Sequence, residues 1–244
     1  MTPSTGRTVL RGDGVSCRVR TWPGHPHIAQ LVLYQQAVLP SIGDLERWST
    51  QLAGLGFDRV RTSAMSSASG VRMEAAGFRS VQELVLLQYD QPRHIPSGGT
   101  AVRRLDEMRH GVAAAVDLAA FGDEWALDSA AIVDVRHATP SHRARAVFPR
   151  DDGHELMAYA VSGRDARQGF LQRLAVHPSV QRRGYGRALV LDSLRWAARW
   201  RVDRVLVNTH TTNQPALDLY EGVGFHRLHE RLHVFERSLA WSPT

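Results

Sequence analysis

Positions 181 to 187 read Gln181-Arg182-Arg183-Gly184-Tyr185-Gly186-Arg187, two glycines and three arginines in seven residues. The apolar run FLQRLAV stands before them, and after them apolar residues recur at Ala188, Leu189, Leu191, Leu194, Trp196, Ala197 and Trp200. That is a strand, a glycine turn and an amphipathic helix over Gly186–Trp200. Glycines let the backbone turn tightly enough for consecutive N–H groups to converge on one anion. The helix N-terminus adds the positive end of its dipole, and the three arginines add whole charges. The arrangement suits a pyrophosphate. It is not the dinucleotide fingerprint G-x-G-x-x-G, because Leu189 stands where the third glycine belongs. A plain surface turn with a solvated arginine pair is the competing reading.

A second constellation comprises Asn213, Ala216, Leu219, Tyr220, Gly224 and Phe225. Ala216, Leu217, Tyr220 and Val223 share helical spacing, so by itself Tyr220 reads as a core tyrosine with a tethered hydroxyl. Asn213 is a good helix N-cap. Other groupings dissolve. His226, His229 and His233 suggest metal ligands, but a strand is expected there, which puts His226 on the face opposite the other two. No acid or cysteine completes that set, so no metal is expected. No serine, histidine and aspartate group resembles a nucleophile elbow.

Composition narrows the chemistry. All 30 basic residues among the 244 are arginine, which excludes Schiff-base lysine chemistry and the lysine of a Walker phosphate loop. Cys17 is the single cysteine, so an internal disulfide and multi-cysteine metal sites are excluded. No apolar run approaches the roughly 18 residues of a membrane span, and Met1–Leu10 lacks the apolar core of a signal peptide. A soluble protein of the cytoplasm is expected. The net charge of +6 is spread along the chain, but Arg173–Arg204 holds eight arginines against Asp192 and Asp203. A local basic surface of that kind fits a polyanion, whether nucleotide or nucleic acid.

These groups need positioning elements. Gln91–Thr100, with two prolines and two glycines, reads as a linker. Beyond it the patterns predict a short strand over Ala101–Leu105, then helices over Asp106–Phe121 and Asp128–Val135. Strands follow over Arg143–Phe148, Leu156–Val161 and Gly169–Val176, separated by RDDG and SGRDAR turns. After the Gly186 helix come a strand over Arg204–Asn208, a helix over Asn213–Val223 and a strand over Arg227–Leu239. The sum is a mixed α/β fold.

The first half echoes the second. Ala37-Val-Leu-Pro-Ser41 matches Ala175-Val-His-Pro-Ser179, and Arg47-Trp48 matches Arg195-Trp196. Asp58-Arg-Val60 matches Asp203-Arg-Val205, and Ala76-Gly-Phe78 matches Val223-Gly-Phe225. The offset grows from 138 at the proline to 145 at Asp-Arg-Val, so the first copy lacks about the length of QRRGYGR. A duplicated unit whose first copy lost its glycine loop accounts for this, against a chance likeness of common elements.

With these motifs in view, the pattern Q/R-x-x-G-x-G/A, following LAVHP and opening a helix, resembles the GCN5-related N-acetyltransferase (GNAT) superfamily. Asn213-x-x-Ala216-x-x-Leu219-Tyr220-x-x-x-Gly224-Phe225 resembles the family's second signature, in the form of the ribosomal-protein N-terminal acetyltransferases. The resemblance covers about residues 100–240, and the duplication is similar to the tandem layout of mycothiol synthases. It implies a GNAT fold with a splayed strand pair in the catalytic domain, 100–240, preceded by a degenerate partial copy, 1–95.

The resemblance further implies acetyl-CoA as acetyl donor. Its pantetheine arm would lie along the backbone of Leu174, Ala175 and Val176, and its pyrophosphate would rest on Gln181 to Arg187. Asn213 would touch the pantetheine, and Tyr220 would protonate the departing thiolate while a primary amine, of a peptide N-terminus or a small metabolite, attacks the thioester. Where the family's N-terminal acetyltransferases carry a glutamate, this chain has Asn208. His210, two residues on, is the candidate base, with Glu155 second and His177 structural. A non-catalytic acyl-CoA sensor is the alternative, and a nucleic-acid binder is disfavoured because the arginine cluster overlaps the expected phosphate site. The first half is expected to bind no CoA, and to wall the acceptor site or form a homodimer.

Overall fold

Burial alternates along Ser16–Trp22: Cys17 and Val19 are buried while Arg18 and Arg20 are only half-buried, the period-two pattern of a strand. The computed structural model describes residues 8–33, 38–97, 99–148 and 155–239. Ala37 of the first echo and the whole RDDG turn lie outside the described residues.

In chain order the first half holds β1 (Val9–Arg11), β2 (Ser16–Trp22), β3 (His25–Leu33), α1 (Ile42–Gly54), β4 (Arg59–Thr62), β5 (Met65–Ser66), α2 (Gly70–Ala75) and β6 (Arg79–Asp90). The second holds β7 (Arg103–Arg104), α3 (His110–Phe121), α4 (Ser129–Arg136), β8 (Ser141–Val147), β9 (Ala158–Arg164) and β10 (Gln168–Val176). It ends with α5 (Tyr185–Arg199), β11 (Arg204–His210), α6 (Gln214–Val223) and β12 (His226–Ser238). The order from β1 to β6 repeats from β8 to β12: two antiparallel pairings, a helix, a parallel strand, a helix and a long strand.

The chain divides into two compact units, residues 1–85 with 229–244, and residues 86–228. The division falls ahead of the Gln91–Thr100 segment, and it gives most of the last strand to the first unit. In that unit β12 runs antiparallel to β4, with Glu236 opposite Arg61. Arg61 Nε donates to the buried Glu236 carboxylate at 2.5 Å. The core gathers Val19, Leu31, Leu45, Trp48, Leu52, Phe57, Met73 and Phe235.

In the second unit the strands run β11-β10-β9-β8-β7, with the 86–90 end of β6 beside β11. The core under α3 and α4 holds Leu105, Val116, Ile132, Tyr159, Val161 and Ala175. Opposite lies α5, whose Leu189, Leu191, Leu194 and Ala197 are buried. The strand expected over Leu156–Val161 is displaced to Ala158–Arg164. Ala158 to Gly163 are all buried, so no alternation marks its ends.

Candidate active site

β10 and β11 begin as a parallel pair, with Gln168 opposite Arg204, Gly169 opposite Val205 and Phe170 opposite Leu206. No further pair of these two strands follows among the described residues. On its other edge β10 stays joined to β9 up to Val176 opposite Ala158. The register slips between Leu171 and Arg173, which makes Gln172 the extra residue of a bulge. Past the bulge, backbone groups of Leu174, Ala175 and Val176 that point away from β9 therefore open toward a gap.

The loop after β10 is shaped by two residues of left-handed backbone, Arg182 (φ 63°) and Gly184 (φ 83°). A left-handed conformation at a non-glycine residue such as Arg182 costs roughly 1 kcal/mol. Gly184 is the N-cap of α5, and no side chain caps this helix. Its first-turn amides are therefore left for a ligand or water. The two glycines serve different ends. A Cβ on Gly184 would meet nothing within 4 Å, so backbone conformation alone demands glycine. A Cβ on Gly186 would stand 3.1 Å from Leu219 Cδ2 and 3.6 Å from Val176 Cγ2, so close approach demands it. Arg182, Arg183 and Arg187 are exposed, and Tyr185 is half-buried. Gln181 Nε2 donates to the Val176 carbonyl at 3.4 Å, tying loop to strand. An uncapped helix N-terminus after a loop of left-handed backbone, with three exposed arginines, suits a pyrophosphate.

Asn213 caps α6: its Oδ1 accepts from the Ala216 amide at 3.3 Å, and its Nδ2 donates to Thr209 Oγ1 at 3.0 Å. The side chain thus holds the helix on the end of β11. Tyr220 is buried on α6, its ring 5.7 Å from that of Phe225. Burial pushes the phenol well above its ordinary range, and the charge of Arg173 works against that rise. No hydrogen-bond partner of its hydroxyl is present among the described residues.

The candidate bases fare differently. The Nδ1 of His210 accepts from the Thr212 amide at 3.2 Å, which in the neutral ring leaves the proton on Nε2. His177 is held likewise by the Ser179 amide at 3.3 Å. Glu155 is exposed and precedes β9, and Asn208 is exposed on β11. Among the described residues no group of three or more His, Cys, Asp or Glu could hold a metal ion, and no helix is long and apolar enough to cross a membrane.

The arginines from 173 to 204 do not form one surface. Arg195 lies 3.8 Å from Asp192. Arg173 turns inward, its Nε donating to Asp117 Oδ2 at 2.8 Å and its Nη2 to Oδ1 and to the Trp125 carbonyl at 2.9 Å. Asp117 is fully buried and also accepts from the Tyr159 hydroxyl and from the Leu127 amide at 2.6 Å. The sequence reading missed this cluster. Its one signal was a charged residue inside the apolar run FLQRLAV.

Residues 115–225 match the Acetyltransferase (GNAT) family. The mycothiol acetyltransferase of Rhodococcus erythropolis (strain PR4 / NBRC 100887) is 28% identical over 228 residues, which span 84% of this chain and 74% of that protein. Among solved structures, a tandem GNAT protein from the clavulanic acid biosynthesis pathway is similar with a TM-score of 0.65 at 12% identity, over 94% of this chain and 80% of that one. A GCN5-related N-acetyltransferase from Kribbella flavida is similar with a TM-score of 0.64 at 13% identity, over 94% and 89%. The matched stretch lies wholly inside the second unit and contains the splayed strands, the glycine loop and both ends of α6. Residues 115–225 are accordingly a domain of the GNAT acetyltransferase family, and the chain that carries them is an N-acetyltransferase.

Proposed function

We propose that the protein transfers the acetyl group of acetyl-CoA to the primary amine of a small metabolite. The observation that carries this reading is the end of the β10–β11 pairing at Phe170, one strand length from the uncapped N-terminus of α5. A slot flanked by free strand backbone at one end and an anion cradle at the other matches a ligand with an amide-bearing arm and a pyrophosphate. A small acceptor rather than a peptide is supported by the relative named mycothiol acetyltransferase, which aligns with most of the chain.

Bound acetyl-CoA supplies a thioester carbonyl for the amine to attack and a thiolate to depart. The amides of Leu174–Val176 orient the arm, and those of 183–187 with Arg182, Arg183 and Arg187 hold the phosphates. Tyr220, kept protonated by its burial, holds a proton at its hydroxyl for the leaving sulfur. His210 can take a proton at Nδ1 only by releasing the Thr212 amide, so the acceptor enters as a neutral amine or loses its proton through water.

Among its described residues, the first unit speaks against a second donor site. There β3 and β4 stay paired from Ile28–Arg59 to Leu31–Thr62, and the Ser63 amide adds a bond to the Leu31 carbonyl at 2.9 Å. α1, the counterpart of α5, is closed by a capping box of Ser41 and Asp44, which sets a carboxylate where a phosphate would sit. The cavity beneath it, lined by Leu31, Trp48, Met65 and Met73 among others, is about 10 Å³, no more than one water needs.

Calorimetric titration with acetyl-CoA tests both points. The expected outcome is one molecule bound per chain, with affinity lost by at least about tenfold in Gly184→Val. Two molecules per chain would overturn the single-site reading, and no binding at millimolar ligand would overturn the donor assignment.

A further inference from the structure

We infer that Asp117 is a positioning residue for the transfer site, acting through Arg173 on the bulge that aims Leu174–Val176. The inference rests on the reading of those three residues as the arm-binding segment, and adds the device that sets their direction.

The geometry starts from parity. Leu171 stands opposite Ser162, whereas Arg173 stands opposite Val161. Side chains alternate between the faces of a strand, so one extra residue exchanges the faces for everything after it. Before the bulge, the chain faces α5: a Cβ on Gly169 would lie 3.6 Å from Ala197 Cβ, and Ser162 donates to Ser193 on that helix at 2.8 Å. After it, Arg173 faces α3, as does Ala175, whose partner Tyr159 also reaches Asp117. Without the extra residue Arg173 would point at α5 and Asp117 would be buried without a cation.

The same bulge lies where the β11 ladder has just ended, so β11 no longer guides the strand. One edge remains held by β9, and the side chain of Arg173 is the added tether. Its guanidinium is fixed on three sides: both oxygens of Asp117, the Trp125 carbonyl, and the face of Phe121 at 3.6 Å. Asp117 in turn has both oxygens filled, by Arg173, Tyr159 and the Leu127 amide. One carboxylate thus joins the bulge, the strand beside it and the loop between α3 and α4.

A buried ion pair is weak grounds for a stabilising role, since apolar replacement of both partners is often neutral. That makes the pair separable from folding. In the full chain, Asp117→Leu with Arg173→Met removes both charges at similar volume. The probes are acetyl-CoA and 3′-phosphoadenosine 5′-diphosphate, the nucleotide part of CoA, which needs the loop at 181–187 but not the strand. The expected result is a loss of acetyl-CoA affinity of at least about tenfold with the nucleotide changed by less than about twofold. Equal losses for both probes, or none for either, would overturn the positioning role. Should the double variant not fold, Arg173→Lys, which keeps the charge but cannot bridge both oxygens, is read by the same split. A wild-type chain that binds neither probe would sink the site reading itself, whereas a wild type that binds both while the variants show no split would sink the lock alone.

Discussion

On the proposed reading, Tyr220 and Asn213 each serve packing and chemistry together. Tyr220 sits in the core of α6, yet its hydroxyl has no hydrogen-bond partner among the described residues. Replacing it with phenylalanine keeps the ring contact with Phe225 and removes only the hydroxyl. Tyr220→Phe is expected to lower kcat by about 10²-fold, with the unfolding midpoint retained, as measured by steady-state kinetics and thermal melts. Unchanged kcat would remove Tyr220 from the reaction. The pH dependence follows from burial. The folded phenol ionises well above the ordinary 10.0, so the folded state holds its proton where the unfolded state has begun to lose it. Its contribution to stability is complete below pH 10 and lost as pH rises toward the folded value, and no alkaline fall in kcat from this group is expected below pH 10.

At the scale of elements, the helix termini set the two halves apart. α5 begins at a left-handed glycine with no side-chain cap, while α1 begins in a closed capping box. Asn213 does for α6 what Ser41 does for α1. Asn213→Ala is expected to destabilise the chain by about 1 kcal/mol in denaturant unfolding. A change near zero would mean that α6 needs no cap.

Much of this was legible in advance. FLQRLAV, the two glycines and the Asn213–Phe225 pattern are local signals, and the strand, loop and helices they announce are present. The lock of Asp117 on Arg173 was not legible, because its partners lie 56 residues apart and meet only after a bulge reverses the strand's faces. β9 was placed too early in the chain because both its faces are buried. The two residues of β7 were overestimated because its ladder with β8 spans only Arg103 and Arg104.

On the scale of the whole molecule, the unit that contains the family match is not simply the second half of the sequence. It begins at residue 86, so it takes the end of β6, where Tyr89 lies edge-on to Phe225 at 5.3 Å and the Gln91 amide donates to the Asp203 carbonyl at 2.7 Å. A fragment of residues 101–244 lacks that strand and leaves an edge of β11 bare. It is expected to aggregate on expression, whereas a soluble, fully active fragment would show that β6 is dispensable.

The converse exchange bears on synthesis. β4, complete by residue 62, has as its antiparallel partner the stretch Glu236–Ser238, and the ion pair of Arg61 with Glu236 closes over 175 residues. The first unit cannot complete its sheet until Glu236–Ser238 have been made, some 175 residues after Arg61. While those residues are being made it must wait with an open strand edge, a nascent state for which chaperone capture, rather than autonomous folding, is the natural fate.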